Sequence, residues 1–326
     1  MRWGLTDTVA GRSVLNMKIL VTGSTGLVGK ALVSALAKEG HSVCRLVRPG
    51  TNANDDAGGF NVAWNPVTGE LGGAAVGPDA VVNLAGAPIG NGRWTLKRKE
   101  ELRASRVNTT RALIEAIGRM NAKPAVFVSA SAIGYYGNRG DEELSEESVA
   151  GDGFLAEIAK EWEAEALKAE AWRTRVVLAR FGIILAKDGG GLPKMVTPFR
   201  LGLGGRLGSG KQWMSWIALE DVVGILKLCL ERTPIQGAVD FAPISGAINV
   251  VSPQPVTNAE FTKTLARALH RPAIFPAPSF ALRLALGREM ADALLMASQR
   301  VVPRKLQQAG YAFQFPRLAS ALTEAL

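Results

Sequence analysis

The sequence predicts an α/β fold: a doubly wound parallel sheet, accompanied by a smaller, discontinuous C-terminal substrate lobe. Three observations carry this prediction. Short apolar runs alternate with amphipathic stretches along residues 17–185, a glycine-rich turn follows the first apolar run, and glycine and proline become frequent after Leu185. Alternating strands and helices favour a parallel sheet whose ligand lies at the carboxyl ends of the strands.

The glycine-rich turn follows the apolar residues 19–21 and precedes a helical pattern, with glycines at positions 23, 26 and 29. Strand, glycine turn and helix in this order form the dinucleotide-phosphate site of a Rossmann unit, where glycines permit a tight turn and close backbone approach. The helix N-terminus adds partial positive charge for phosphates. An ordinary strand-to-helix turn is the alternative. We predict that a dinucleotide contacts Thr22, Gly23, Ser24, Thr25, Gly26, Leu27 and Val28.

The remaining elements follow from hydrophobic periodicity and turn residues. Strands are expected near residues 17–22, 42–47, 62–64, 80–84, 125–130 and 175–181, and helices near 26–39, 95–119 and 153–171. The predicted nucleotide-binding Rossmann domain comprises 17–185 and 214–253, and the predicted substrate lobe comprises 186–213 and 254–326. Residues 1–16 are expected to be a disordered extension, with Met17 as the natural start.

Composition excludes several classes of protein. The 326 residues include two cysteines, Cys44 and Cys229, which give neither a metal-ligand spacing nor a disulfide framework. We expect no metal site. Residues 1–16 lack the apolar core of a signal peptide, and no apolar run approaches the roughly 20 residues that span a bilayer. We therefore expect a cytoplasmic protein without membrane contact.

The net charge of +9 is locally concentrated in residues 93–106. A basic balance can indicate nucleic-acid binding, but no nucleic-acid motif accompanies it, and charged helix faces are commonly solvated. We expect no nucleic-acid partner. Basic residues near a cofactor cleft would instead attract small anionic ligands.

The end of the second predicted strand bears on the choice of cofactor. A carboxylate at this position holds the ribose 2′-hydroxyl in NAD-binding Rossmann units, whereas this chain has Arg48 there and Arg45 within the strand. Arginine can pair with a 2′-phosphate through two charge-assisted hydrogen bonds. NADP is therefore favoured over NAD, the alternative being that Arg48 is a solvated loop residue.

Two further strand ends carry candidate site residues. The small residues after the strand near 80–84 predict a cofactor edge formed by Asn83, Leu84, Ala85 and Gly86. The strand near 125–130 is followed by serines and tyrosines. A tyrosine hydroxyl can transfer a proton to or from a substrate oxygen that a serine polarises. We therefore expect catalytic roles for Ser131 and for Tyr135 or Tyr136, the alternative being that both tyrosines are structural.

At this point the chain resembles an extended, atypical short-chain dehydrogenase/reductase, within the nucleoside-diphosphate-sugar epimerase-like subfamily that has a characteristic C-terminal helical domain. The carrying segments are residues 22–29, 83–89, 93–94, 105–106, 135–137, 162–163, 202–213, 216–217, 255–258 and 300–303. The resemblance implies that Arg106 contacts the cofactor. It also implies that an anionic, ring-bearing substrate meets Arg200, Arg206, Lys211, Gln212 and Trp213.

One departure from the family concerns its Tyr-x-x-x-Lys pair, which is absent. Phe154 or Leu155 occupies the tyrosine position, and Lys160 is out of register. Two functions therefore remain open. The first is hydride transfer at a carbinol carbon, as in an epimerase or reductase, for example of a nucleotide sugar. The second is a nucleotide-bound regulatory or scaffold protein without turnover, for example in cell division. A homodimer through the helices near 95–119 and 153–171 is a further expectation.

Overall fold

The computed structural model describes residues 16–51, 58–231 and 243–326. Its strands are β1 Lys18–Thr22, β2 Ser42–Val47, β3 Phe60–Asn65, β4 Glu70–Leu71, β5 Ala80–Asn83, β6 Val126–Ala132, β7 Glu143–Leu144, β8 Arg175–Phe181, β9 Ile183–Leu185, β10 Trp213–Met214, β11 Trp216–Ala218, β12 Gly246–Val250, β13 Val256–Thr257 and β14 Arg300–Val301. Its α-helices are α1 Leu27–Lys38, α2 Leu96–Ala104, α3 Val107–Gly118, α4 Phe154–Leu167, α5 Leu192–Arg200, α6 Leu219–Leu230, α7 Asn258–Ala268, α8 Ser279–Leu286, α9 Arg288–Ala291, α10 Arg304–Gln308 and α11 Leu318–Ala325. A π-helical turn follows α9 at Asp292–Met296.

The central sheet has eight strands within the described ranges, in the order β12-β8-β6-β5-β1-β2-β3-β4. All neighbouring pairs are parallel except β3 with β4 at the edge. Three short pairs, β9 with β11, β10 with β13 and β7 with β14, lie outside this sheet. The predicted α/β fold with a parallel, doubly wound sheet is confirmed.

Both faces of the sheet are covered by helices, as the continuous apolar strands require. Successive side chains of a strand point to opposite faces. Ile19 packs on one side with Leu36 of α1 and Ile225 of α6, while Leu20 packs on the other side with Leu113 of α3. Each such side chain contributes roughly 1.5–3 kcal/mol when it is fully buried.

A third apolar cluster joins the segments that follow β8. Leu185 and Trp216 pack there with Phe199 of α5, Phe261 of α7 and Leu322 of α11. The cluster combines residues from both predicted domains, because Leu185 and Trp216 belong to the predicted nucleotide-binding domain and the other three to the predicted substrate lobe. The division into a nucleotide-binding domain and a substrate lobe stays a prediction.

The helix expected over 95–119 is interrupted. α2 ends at Ala104 and α3 begins at Val107, because Ser105 and Arg106 form a turn between the two helices. The Ser105 hydroxyl donates to the Leu102 carbonyl at 2.9 Å, which satisfies an acceptor at the end of α2. The helix expected over 153–171 is α-helical only as far as Leu167.

The predicted extension, residues 1–16, lies outside the described residues except for Asn16. In the described part of the chain, no helix is long and apolar enough to cross a membrane. The same residues contain no group of three or more His, Cys, Asp or Glu side chains placed to hold a metal ion.

Candidate functional site

The glycine turn between β1 and α1 requires glycine at two of its three positions. Gly23 has a φ of +64°, and a Cβ built on it would lie 2.5 Å from the Leu84 carbonyl oxygen. A Cβ on Gly29 would lie 2.2 Å from the Gly23 carbonyl oxygen. Any side chain at either position would therefore push the turn away from β5 or α1 away from the turn.

The turn presents the N-terminus of α1 without a side-chain cap. Gly26 is the N-cap residue, and no side chain accepts a hydrogen bond from the first N–H groups of this helix. Those N–H groups, together with the helix dipole, favour an anion. Thr25 and Gly26 are exposed, Leu27 and Val28 are half-buried, and Ser24 is buried within the turn. This geometry fits the pyrophosphate of a dinucleotide.

A buried hydrogen-bond chain supports the turn from below. The Thr22 hydroxyl donates to Oδ1 of Asn83 at 2.7 Å, and Nδ2 of Asn83 donates to the Thr110 hydroxyl at 2.8 Å. The Leu84 amide in turn donates to the Thr22 hydroxyl at 3.1 Å. The side chains of Thr22 and Asn83 therefore hold the ends of β1 and β5 together. Leu84 and Ala85, which follow β5, are half-buried and Gly86 is exposed, and their contact with a cofactor stays a prediction.

The two arginines predicted to select NADP lie in different environments. Arg48 is exposed just beyond the end of β2, as a contact to a 2′-phosphate requires. Arg45 pairs with Val21 of β1 and Asn61 of β3 inside the sheet and is 2% exposed. The prediction for Arg45 is therefore not supported, because neighbouring strands and covering elements enclose the middle of β2.

A cavity of about 270 Å³ opens at the carboxyl ends of β6 and β8. These are on the same edge of the sheet as the glycine turn, separated from it by the end of β5. Most of its lining is aliphatic or aromatic: Ile89, Ala132, Ile133, Leu155, Ile158, Ala159, Trp162, Phe181, Ile183, Met195, Leu207, Trp213, Met214, Ala293, Leu294, Leu295 and Ala297. The remaining described lining residues are Arg106, Gly134, Gly182, Ser215, Asn258 and Gln299. We call this cavity the apolar cleft.

Arg106 is the cationic residue of the apolar cleft lining. Its Nη1 donates to the Leu102 carbonyl at 3.2 Å, and its Nη2 donates to the Ala87 carbonyl at 2.9 Å. The guanidinium lies 5.5 Å from the centre of the Trp162 ring. Burial, with a smaller contribution from the charge of Arg98, lowers the pKa of Arg106 to about 10. No carboxylate among the described residues forms an ion pair with it.

The wall formed by α4 is apolar where the wider family has its Tyr-x-x-x-Lys pair. Leu155 and Ala159, four residues apart on one helix face, both line the cleft. Lys160 is exposed and is not part of the lining. Among the described lining residues there is no carboxylate, imidazole, phenol, thiol or amine.

The three predicted catalytic residues surround a buried ion pair rather than the cleft. Arg180 of β8 and Glu163 of α4 are joined by two hydrogen bonds of 2.8 Å. The Ser131 hydroxyl donates to Oε1 of Glu163 at 2.6 Å, and the Arg180 guanidinium lies 3.5 Å from the centre of the Tyr135 ring. We call Ser131, Tyr135, Tyr136, Glu163 and Arg180 the Arg180 network.

Tyr136 is fully buried in the Arg180 network. Its hydroxyl donates to Oδ1 of Asn249 at 2.7 Å and accepts from Nη1 of Arg180 at 2.9 Å. Burial raises the pKa of Tyr136 to about 12, although the charge of Arg180 opposes this shift. The predicted proton transfer by Tyr136, and substrate polarisation by Ser131, are therefore not supported, because both hydroxyls are committed within the protein.

The loop predicted to hold an anionic substrate contributes one of its five predicted residues to the cleft. Trp213 lines the cleft, and its indole Nε1 donates to Oδ1 of Asp141 at 2.9 Å. Arg200, Arg206 and Lys211 are exposed outside the cleft lining. Gln212 is buried, and its amide donates to the Leu207 and Leu295 carbonyls. Substrate contacts of these four residues therefore stay predictions, and Gln212 already has partners within the protein.

Several lining residues were not predicted as site residues. Asn258 and Gln299 lie within or beside the segments that carry the family resemblance, which was the available signal. The leucines and alanines of the π-helical turn Asp292–Met296 had no such signal, because apolar residues in a helix are equally typical of a core.

Residues 19–239 match the NAD dependent epimerase/dehydratase family. The chain belongs to this family. Residues 277–325 match a second domain family of unknown function, DUF1731. Over 308 residues the chain is 42% identical to an epimerase family protein of Mycobacterium leprae, covering 94% of this chain and 95% of the relative.

Two solved structures are similar over nearly the whole chain. The human epimerase family protein SDR39U1 (isoform 2), solved with NADPH, is 35% identical with a TM-score of 0.80, covering 95% of this chain and 99% of that chain. A nucleoside-diphosphate sugar epimerase from Corynebacterium glutamicum is 34% identical with a TM-score of 0.72, covering 95% of this chain and 58% of that chain. The family and its nucleotide-binding fold are thereby established.

Proposed function

We propose that this protein is an NADP(H)-dependent oxidoreductase that acts by hydride transfer at a carbinol or carbonyl carbon in the apolar cleft. The observation that carries the proposal is the glycine turn, whose two obligatory glycines and uncapped α1 fit a dinucleotide pyrophosphate. The human relative solved with NADPH supports the same cofactor. When bound, the nicotinamide cofactor supplies or accepts the hydride.

The residues of this chain bind the cofactor and form the surroundings of the reacting carbon. Residues 23–28 hold the pyrophosphate through backbone N–H groups, and Arg48 pairs with the 2′-phosphate. The aliphatic and aromatic lining surrounds the carbon that gains or loses the hydride. Arg106 supplies the positive charge inside the cleft. Because the described lining has no group that titrates near neutral pH, we assign the accompanying proton to solvent rather than to Tyr135.

Cofactor choice is tested by titrating purified protein with NADPH and, separately, with NADH. We expect Arg48→Gln to weaken NADPH binding by about 10–100-fold, as for the loss of a charge-assisted contact, and to leave NADH binding unchanged. Arg45→Gln is not a clean control because Arg45 is buried, so the exposed Arg200→Gln serves instead. Equal loss of both nucleotides in Arg48→Gln would contradict the assignment.

Turnover is tested by incubating the protein with NADPH and a panel of carbonyl compounds that includes sugar nucleotides. Sustained loss of NADPH absorbance with any one of them supports the enzyme. The alternative, a nucleotide-bound scaffold, predicts tight NADPH binding without turnover across the panel. The expected homodimer through α3 and α4 stays a proposal, for which sedimentation of the purified protein is the test.

A further inference from the structure

We infer that a groove beside α7 is a second ligand site, which takes a small molecule carrying a diphosphate or two phosphate groups. The groove has a volume of about 910 Å³, and its polar side chains include Arg206, Lys263, Arg267, His270 and Arg271. We call it the cationic groove. The inference goes beyond the proposed function, because it concerns neither the cofactor nor the apolar cleft.

α7 and the loop before β10 form two walls of the cationic groove. Lys263 and Arg267 are four residues apart on α7 and therefore lie on one helix face, with Ala259 one turn earlier. The Ala259 amide donates to the Gly210 carbonyl at 2.9 Å, which places the loop that carries Arg206 beside the start of this face. Cations from the helix and from the loop therefore line the same groove.

The segment after α7 supplies the third wall, which contains Ile274 and Pro276. The Ala277 amide donates to the Arg206 carbonyl at 2.9 Å, so this segment runs beside the same loop. Nη1 of Arg206 donates to the Ser209 carbonyl at 3.0 Å. This bond holds the Arg206 guanidinium in position before a ligand arrives, which reduces the entropy lost on binding.

The cationic groove is distinct from the apolar cleft, although the two are formed by neighbouring residues. Arg206 lines the groove and Leu207 the cleft, and likewise Ala259 lines the groove and Asn258 the cleft. No described residue lines both. The glycine turn is not part of the groove lining either. A ligand in the groove would therefore leave the cofactor site and the cleft open.

The charges of the cationic groove are not compensated within the described ranges. Its described lining has four cations, Arg206, Lys263, Arg267 and Arg271, and no carboxylate. None of the four takes part in a described ion pair. Like charges four residues apart, as in Lys263 and Arg267, weaken a helix. The helix dipole favours cations in the last turn only and does not account for Lys263. A bound polyanion would relieve this repulsion.

His270 occupies a strained backbone position at the end of α7. Its φ is +51°, in the left-handed region that favours glycine. The His270 amide donates to the Arg267 carbonyl at 3.1 Å, and the Arg271 amide donates to the Ala266 carbonyl at 2.9 Å. Glycine is the usual residue at this point of such a helix end. The imidazole lines the groove, so contact with a ligand would account for a histidine here.

The size and charge of the cationic groove indicate the class of ligand. Its volume of about 910 Å³ falls within the range of ligand pockets, roughly 300–1,000 Å³. Arginine pairs with phosphate oxygens through two donors, and lysine binds them as a point charge. A single phosphate ester carries a charge of about −1.5 to −2, so four cations match two phosphates better than one. Ile274 and Pro276 offer apolar surface to the organic part.

Pyrophosphate, which is two linked phosphates without an organic part, is the probe that tests the inference. Calorimetry measures its binding to the full chain with saturating NADPH present, so that the proposed cofactor site is occupied. The variants are Lys263→Gln, Arg267→Gln and His270→Gly. Lys38→Gln is the matched control, because Lys38 is an exposed helical lysine outside the groove. Thermal unfolding shows that each variant is folded.

We expect wild-type protein to bind one pyrophosphate, and to bind it at least about tenfold more tightly than inorganic phosphate. Lys263→Gln and Arg267→Gln should each weaken pyrophosphate binding about tenfold, whereas Lys38→Gln should not change it. His270→Gly should weaken it about two- to tenfold without lowering the midpoint of thermal unfolding, because glycine suits the left-handed conformation. NADPH affinity should stay within about twofold in every variant.

Unchanged pyrophosphate affinity in both Lys263→Gln and Arg267→Gln, or an equal loss in Lys38→Gln, would overturn the inference. Two macromolecular surfaces share the phosphate chemistry and are tested in parallel. Tighter binding of a single-stranded oligonucleotide, or of phosphatidylcholine vesicles containing phosphatidic acid, than of pyrophosphate would also overturn it. Failure of the proposed function looks different, because NADPH then does not bind while pyrophosphate binding still depends on Lys263 and Arg267.

Discussion

Arg180 and Arg106 both lie beside aromatic rings, yet among the described residues only Arg180 has a carboxylate partner. Arg180 is 4% exposed and bonds twice to Glu163, whereas Arg106 bonds to backbone carbonyls and a hydroxyl. Burial lowers both guanidinium pKa values, but the hydrogen bonds and charge of Glu163 reverse the shift and raise that of Arg180. An internally neutralised arginine stabilises the fold, while one without a counter-ion marks a place for a ligand.

The largest expected effect is the loss of stability when Arg180, the arginine with a carboxylate partner, is replaced. Arg180→Met leaves Glu163 buried without its cation, which should cost about 3–5 kcal/mol of unfolding free energy. Urea denaturation measures the loss. Arg106→Gln removes no carboxylate partner, so it should cost clearly less, about 1–3 kcal/mol, from the abandoned carbonyl acceptors.

A double variant sharpens this prediction. Arg180→Met combined with Glu163→Met removes both charges and should recover most of the lost stability, because an apolar pair replaces a buried ion pair at little cost. If Arg180→Met and Arg106→Gln were equally destabilising, the contrast between the two arginines would not hold.

The next prediction concerns Tyr136. The sequence predicted a catalytic role for Tyr135 or Tyr136, whereas in the structure Tyr136 belongs to the Arg180 network. Tyr136→Phe leaves Oδ1 of Asn249 without this donor, so we expect a loss of about 1–3 kcal/mol in stability. Thermal and urea unfolding measure it. NADPH affinity should not change, and loss of turnover in a folded Tyr136→Phe protein would indicate that this tyrosine is catalytic.

A pH titration tests Arg106 itself. The family resemblance implies that Arg106 contacts the cofactor, so NADPH affinity should be constant between about pH 7 and 9 and fall once the pH passes the pKa of about 10. The limiting decline is about tenfold per pH unit. Arg106→Gln should remove this decline, and an unchanged decline in that variant would indicate unfolding instead of deprotonation.

The pKa shifts of Arg106 and Arg180 have opposite effects on the pH dependence of stability. The lowered pKa of Arg106 means that the unfolded chain binds this proton more tightly than the folded chain. The charged Arg106 therefore reduces the free energy of unfolding at neutral pH, and this reduction disappears as the pH rises through about 10. The raised pKa of Arg180 gives stabilisation that is complete at neutral pH and is lost only at still higher pH.

The smallest effect is expected for Ser131. Its hydroxyl donates to Glu163, which keeps both hydrogen bonds to Arg180 when the serine is removed. Ser131→Ala should therefore cost about 0.5–1.5 kcal/mol and leave NADPH affinity and turnover unchanged. Stability is measured by urea denaturation, and a loss of turnover in the folded variant would instead assign Ser131 to catalysis.

The fold and the glycine turn could be predicted because their signals are local. The apolar runs of β1, β2, β5 and β8 and the spacing of Gly23, Gly26 and Gly29 each lie within a few dozen residues. Strand period and turn chemistry act at that range. The break between α2 and α3 escaped prediction, because it depends on side-chain bonds of Ser105 and Arg106 to carbonyls.

The roles of the tyrosines and of the cationic loop could not be predicted, because distant partners decide them. Tyr136 is held by Asn249, 113 residues away, and Ser131 by Glu163, 32 residues away. A strand-end hydroxyl is equally compatible with catalysis and with such a partner. Arg106 was predicted to contact the cofactor, but only the folded chain shows that no carboxylate among the described residues pairs with it.

The most direct test of the central claim is a crystal structure of the protein with NADPH. The proposed function predicts the pyrophosphate at the N-terminus of α1, the 2′-phosphate on Arg48 and the nicotinamide in the apolar cleft. A 2′-phosphate away from Arg48, or a nicotinamide outside the cleft, would contradict it.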